Sequence, residues 1–196
     1  MKDNLYIPQM LLIGSTGRNG GKTTLAAEVV RQWKNKFSII GLKVTTIQKK
    51  DGECPRGGEG CGVCSSLKGN FEVLEEIDQN ANKDTSILLA AGAVKVYWLK
   101  ALRTHIYEGI KDFMANVPEN TLIICESNSL RNAVTPGGFI MLNNTGNAQV
   151  KISAGEVMNK ADIIIDYDVK NNINTIIERI EVDKIQSYLV VKIKNV

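Results

Sequence analysis

Short apolar runs alternate along this chain with stretches in which apolar residues recur at helical spacing, the sequence form of a parallel sheet covered by helices. Strands are predicted at 9–14, 37–44, 95–99, 121–125, 139–142 and 162–166, with 188–193 as a last edge strand. Helices are predicted at 22–34, 84–91, 105–115 and 174–181, and a single short one at 154–159. No repeat, low-complexity tract or linker divides the 196 residues, so one three-layer α/β domain over 1–196 is expected. One stretch breaks the pattern. Residues 45–70 are rich in Lys, Gly and Cys and nearly devoid of periodic apolar positions, the mark of an inserted loop that is functional or mobile.

The first strand runs into Gly14-Ser15-Thr16-Gly17-Arg18-Asn19-Gly20-Gly21-Lys22-Thr23-Thr24, and Leu25-Ala26-Ala27 opens an amphipathic helix. A polyphosphate needs many donors at once. A loop without bulky side chains lets backbone N–H groups converge on it, and a helix N-terminus adds partial positive charge. Gly17, Arg18, Asn19, Gly20, Gly21, Lys22, Thr23 and Thr24 therefore form the candidate cradle for a nucleoside triphosphate, GTP or ATP. Lys22 would bridge the terminal phosphates and Thr23 would join a Mg2+ shell. The fit to G-x-x-x-x-G-K-[ST] is imperfect, because Thr16 stands where the first glycine belongs. The competing reading is an ordinary glycine-rich turn.

Ligands of open parallel sheets gather at the carboxyl ends of the strands. Thr121-Leu122-Ile123-Ile124-Cys125-Glu126 is an apolar strand ending in a carboxylate, which places Glu126 as a candidate to hold Mg2+ or polarise a nucleophile. Lys43, at the end of its own strand, would bring a second cation to the same crevice. A solvated strand-end acid and a solvated lysine are the plainer readings of both.

The insert holds three of the four cysteines, Cys54, Cys61 and Cys64. Thiolates so close together suggest zinc or an iron–sulfur cluster, redox-active thiols, or simply a surface loop, and the spacing leaves these open. A fourth ligand is required for a tetrahedral site. It could be Cys125, a carboxylate, or a cysteine of a second subunit, although Cys125 within a buried strand reads first as a small core residue.

A net charge of +3 is compatible with anionic small molecules and too scattered for a nucleic-acid surface. No apolar stretch approaches a bilayer span, and Met1-Lys2-Asp3-Asn4 lacks a signal-peptide core, so a cytoplasmic protein is expected. Asn159-Lys160-Ala161-Asp162 matches the N-K-x-D pattern that reads guanine, but here the strand follows the motif, which puts Asp162 at the wrong end. Asn143, directly after a strand, is better placed to touch a base, or else serves a turn. His105, the one histidine, reads as a helix-end residue, and Tyr97 and Trp98 as packing.

Several of these segments resemble the molybdopterin-guanine dinucleotide biosynthesis protein B (MobB) family, within the phosphate-loop proteins that include dethiobiotin synthetase. Gly-Gly-Lys-Thr-Thr-Leu at 20–25 resembles the family's loop, and Ile40-Gly41-Leu42-Lys43 its second strand with a terminal lysine. Asp84 through Ala90-Ala91-Gly92-Ala93 resembles its Asp-to-Ala-Gly-Ala helix, and Ile124-Cys125-Glu126 its strand ending in Val-Glu-Gly. The resemblance implies a phosphate-loop NTPase fold, GTP binding with Mg2+, a homodimer, and a supporting role in attaching a guanine nucleotide to the molybdenum cofactor. It implies phosphate and metal roles for Lys22 and Thr23, with Lys43, Asp84 and Glu126 lining the crevice. The chain departs from the family where Val44-Thr45-Thr46 replace histidines, where Ser127 replaces glycine, and in the cysteine-rich insert. An ATP-dependent small-molecule kinase or ligase, and a metal- or cluster-carrying protein regulated by nucleotide, are the alternative functions.

Overall fold

The computed structural model describes residues 3–48, 67–143, 150–166 and 173–194. The chain runs β1 (Leu5–Ser15), α1 (Lys22–Trp33), β2 (Ser38–Ile47), β3 (Phe71–Glu75), α2 (Asp84–Ala91), β4 (Lys95–Leu102), α3 (Ile106–Met114) and β5 (Thr121–Glu126). It continues with β6 (Val134–Asn143), α4 (Ile152–Gly155), β7 (Ile163–Asp166), α5 (Ile173–Glu178), β8 (Ile180–Ile185) and β9 (Tyr188–Ile193). Seven strands form one sheet in the order β3-β4-β2-β5-β1-β6-β7. All its pairings are parallel except that of β3 with β4.

Strand alternation sorts the core into two layers. Leu11, Ile13, Leu122, Ile124, Ile140 and Leu142 face α1 and α2, whereas Met10, Leu12, Ile123, Cys125, Phe139 and Met141 face α3. Helix α1 buries Leu25, Ala26, Val29, Val30 and Trp33 along one stripe, and each large aliphatic there contributes roughly 1.5–3 kcal/mol. Helix α3 lies close to the sheet because Gly109 meets Leu99 and Phe71, and a Cβ there would stand 3.0 Å from Leu99 and 3.2 Å from Phe71. Helix α2 ends at Gly92, whose φ of 112° lets its N–H reach back to the carbonyls of Leu88 and Leu89.

The C-terminal part departs from the sequence expectation. The predicted helix 174–181 stops at Glu178, and Ile180–Ile185 turns into a strand that pairs antiparallel with β9. Strand 188–193 is therefore half of a separate hairpin and not an edge of the main sheet. That hairpin packs where β1 is irregular. Pro8 has no N–H to give, the register shifts between Ile7 and Leu11, and Gly137 opposite lets the Pro8 carbonyl and Val191 carbonyl approach. Strand β3 was not predicted, and residues 45–47 extend β2, so the insert begins later than expected. The predicted helix 154–159 appears as α4 followed by a 3-10 turn at Met158–Lys160. The cysteine-rich part of the insert lies outside the described residues. Among those described, no helix is long and apolar enough to cross a membrane.

Candidate functional site

Strand β1 lies between β5 and β6; the chain leaves β1 through α1 toward β2, whereas β5 leads the opposite way to β6, so a crevice opens at the carboxyl ends of this pair. The loop from Thr16 to Gly21 fills that end. Asn19 at φ 51° and Gly21 at φ 77° occupy the left-handed region and turn the chain into α1. A Cβ on Gly20 would stand 2.8 Å from the Ser15 Cβ, so the turn closes only with glycine there. Thr16 is absent from the positive-φ positions, which is why a threonine serves where the common pattern has glycine. Its backbone N–H donates to the Leu142 carbonyl and its hydroxyl to Asn143 Oδ1 at 3.2 Å. Gly21 caps α1 without a side-chain bond and the first turn carries no acidic residue, so α1 itself supplies no negative charge at its positive end.

Around this loop the fold gathers the charged residues singled out in the sequence. Sheet register sets Glu126 beside Ile13 on one side and Lys43 on the other. Thr23 Oγ1 donates to Glu126 Oε2 at 2.9 Å, and Lys22 Nζ donates to Ser15 Oγ at 2.9 Å. Lys43 forms an ion pair with Asp84 at the first turn of α2 and lies 5.8 Å from the centre of the Trp98 ring. Lys22, Thr23, Lys43, Asp84 and Glu126 thus meet, although they come from four different parts of the chain.

The electrostatics are uneven. Glu126 is 4% exposed, and burial, reinforced by the Asp84 charge, pushes its carboxyl up to about 7 against the pull of Thr23, Lys22 and Lys43. Its Oε1 is buried with no hydrogen-bond partner among the described residues. Burial also works to raise Asp84, but the Lys43 hydrogen bond and charge, with Thr23 and Lys22, outweigh it and hold that carboxyl below its ordinary range. Burial and the neighbouring Glu126 push the Cys125 thiol well up.

Gly17 and Gly20 are buried in the loop, whereas Arg18, Asn19 and Thr24 are exposed at its rim. Asn143 ends β6 and donates to Asp166 Oδ1 at 2.6 Å. Cys54, Cys61 and Cys64 lie outside the described residues; Cys125 is fully buried in the layer facing α3. Among the described residues no three His, Cys, Asp or Glu gather as a metal site. Asp162 accepts from the Phe139 backbone N–H at 2.7 Å ahead of β7, away from the carboxyl ends. His105 pairs with the Thr104 hydroxyl at 2.9 Å, Tyr97 stacks edge-on against Phe113, and Trp98 Nε1 donates to Thr45.

Other contributors carried little or no sequence signal. Asn128 clamps the end of β1, accepting from Ser15 N–H at 2.9 Å and donating to the Ser15 carbonyl at 3.0 Å. Gly14 is required beneath it, since a Cβ would stand 2.9 Å from Asn128 Oδ1. Lys151 reaches the Gly17 carbonyl with Nζ at 2.7 Å and the Thr16 carbonyl with its backbone N–H. Only the polar pair directly after the β5 acid hinted at Asn128, and nothing in the spacing ties Lys151 to the loop. No protein-family model matches the chain, and no curated protein or solved structure matches it.

Proposed function

We propose that this chain is a phosphate-loop protein that binds a purine nucleoside triphosphate, GTP or ATP, with Mg2+ at residues 17–24 and hydrolyses it slowly. The observation that carries the reading is Glu126: a buried carboxylate with one oxygen bonded to the Thr23 hydroxyl and the other without a partner among the described residues. A group in that state suits a cation's coordination shell. The donor set, a hydroxyl and a carboxylate, is of the hard-oxygen kind that Mg2+ prefers, with Thr23 and Glu126 holding it directly or through water. When bound, the ion would neutralise charge on the transferring phosphoryl group.

The protein's own groups have distinct tasks in this reading. Backbone N–H groups of the loop and the first turn of α1 grip the phosphates. Lys22 moves from Ser15 to the terminal phosphates, and Lys43, steadied by Asp84, faces the same group from β2. The four segments that resemble the MobB family meet at this crevice, which supports an accessory role in molybdenum- or other metal-cofactor biosynthesis. Titration calorimetry tests the core of it. Mg2+ with GTP or ATP should bind the wild type, and Lys22→Ala should weaken binding about 10- to 100-fold, the worth of a charge-assisted hydrogen bond, without loss of fold. Absence of binding by the wild type, or an unchanged variant, refutes the reading.

A cavity of about 410 Å³ favours a second reading, transfer of the phosphoryl group to a small acceptor. It is lined by Thr46, Arg103, Ile106, Ser129, Asn132 and Glu156. Of these, Thr46 and Arg103 stand at the carboxyl ends of β2 and β4, the end of the sheet where the loop lies. Nucleotide turnover that rises on adding a polar small-molecule acceptor would select this alternative.

A further inference from the structure

Residues 151–153, between β6 and β7, are fastened to the first limb of the loop at three successive positions. Lys151 donates its backbone N–H to the Thr16 carbonyl at 2.9 Å and its Nζ to the Gly17 carbonyl at 2.7 Å. Ser153 Oγ accepts from Asn128 Nδ2 at 3.3 Å, and the same amide holds the Ser15 carbonyl at 3.0 Å. Among the described residues, the second limb, 18–21, receives no main-chain bond from a remote segment, and its turn rests on Asn19 and Gly21 in the left-handed region.

Fixing a carbonyl also fixes the N–H behind it. Across a trans peptide the two point in opposite directions, so with the carbonyls of Thr16 and Gly17 both drawn to Lys151, the N–H groups of Gly17 and Arg18 are both turned away from it. Gly17 is buried, yet among the described residues none of the N–H groups from Gly17 to Gly21 donates to a main-chain carbonyl. Successive N–H groups held to one side are what an anion binds. We propose that Lys151 is a positioning residue for the phosphates: it does not touch the ligand, but by holding these two peptides it pre-forms the anion cradle, so that the segment after β6 sets the loop's affinity. Were the two peptides free to rotate, the ligand would have to order them, and that cost would subtract from binding.

This inference rests on the phosphate-loop reading, and one set of measurements separates the two. Calorimetry of the full chain with Mg2+–GTP and with Mg2+–tripolyphosphate, which lacks a nucleoside, compares the wild type with Lys151→Met and Lys22→Ala, while nitrogen-15 NMR follows the amides of Gly17 and Arg18. Lys151→Met keeps an unbranched apolar stem and loses the donor. It is expected to weaken both ligands by the same factor, about tenfold, the low end of the worth of a hydrogen bond from a charged group. The Gly17 and Arg18 amide resonances are expected to shift in the unliganded variant and to return to the wild-type positions at saturating Mg2+–GTP, because the bound phosphates then order the peptides themselves. That return also shows that the variant is folded. Unchanged affinity in Lys151→Met, while Lys22→Ala still weakens binding, overturns the role of Lys151 and leaves the phosphate loop standing. Resonances that stay displaced in the saturated complex overturn it too, since Lys151 would then contact the ligand or serve the fold alone. No binding of either ligand by the wild type overturns both.

Discussion

Replacing Glu126 with Gln should change how the unliganded protein's stability depends on pH. An ordinary glutamate titrates near 4.5 and Glu126 near 7, because burial and Asp84 disfavour its charged form. The folded state therefore holds a proton across a window in which the unfolded chain has released it. This group's contribution to stability is fully retained below about 4.5 and falls as pH rises, levelling off above about 7. At about 1.4 kcal/mol per unit, the full displacement is worth about 3 kcal/mol, of which roughly 2 to 3 kcal/mol is lost between about pH 5 and pH 8. Glutamine has the same shape, can still accept from Thr23, and carries no charge. It leaves a buried amide N–H pair without a partner, at about 1–3 kcal/mol, but that cost does not vary with pH. The slope, not the level, decides. Urea unfolding followed by fluorescence of Trp33 and Trp98, at several pH values in EDTA, should show Glu126→Gln gaining roughly 2 to 3 kcal/mol on the wild type from about pH 5 to pH 8. Parallel curves would refute the reasoning and return Glu126 to the status of a solvated strand-end acid.

Further outcomes follow from the same geometry. Asp84→Asn removes a negative neighbour, so the Glu126 carboxyl should titrate lower in a carbon-13 NMR experiment; an unmoved resonance would mean the two do not interact. Addition of Mg2+–GTP at about 100 times its dissociation constant should raise the unfolding free energy by about 2.7 kcal/mol, and EDTA should abolish the gain. Gly137→Ala would place a Cβ 2.0 Å from the Pro8 carbonyl oxygen and should cost about 3 kcal/mol or more by thermal melting. Ile110→Ala, emptying a fully buried position under α3, should cost about 2–5 kcal/mol by the same measurement.

The central strands were legible because burial on both faces leaves near-continuous apolar runs, as in Leu122-Ile123-Ile124-Cys125. Helix α1 was legible because its stripe follows a glycine-rich loop. Strand β3 was not, since Phe-Glu-Val-Leu-Glu is short, half-buried and acidic, as an antiparallel edge strand tends to be. The end of α5 was misplaced because Ile-Ile-Glu-Arg-Ile-Glu keeps helical spacing past Glu178, and only tertiary packing of Ile180 with β9 switches it to a strand. At the site, Lys43 and Glu126 could be named from strand ends and Lys22 from the glycine-rich loop, whereas Asp84 entered only through the family resemblance. The Asn128 clamp and the Lys151 tether could not, because both join the loop to segments remote in sequence, which no local pattern records.

The clasp of Gly137, Pro8 and Val191 also bears on how the molecule is born. The strand that leads to the loop emerges from the ribosome early, yet its kinked start is sealed by a hairpin translated long afterwards. A nascent chain would therefore hold an unfinished β1 and loop until that hairpin arrives. If the proposed phosphate-loop function holds, arrested chains lacking 180–193 should capture no nucleotide, which would tie acquisition of ligand to the arrival of the hairpin.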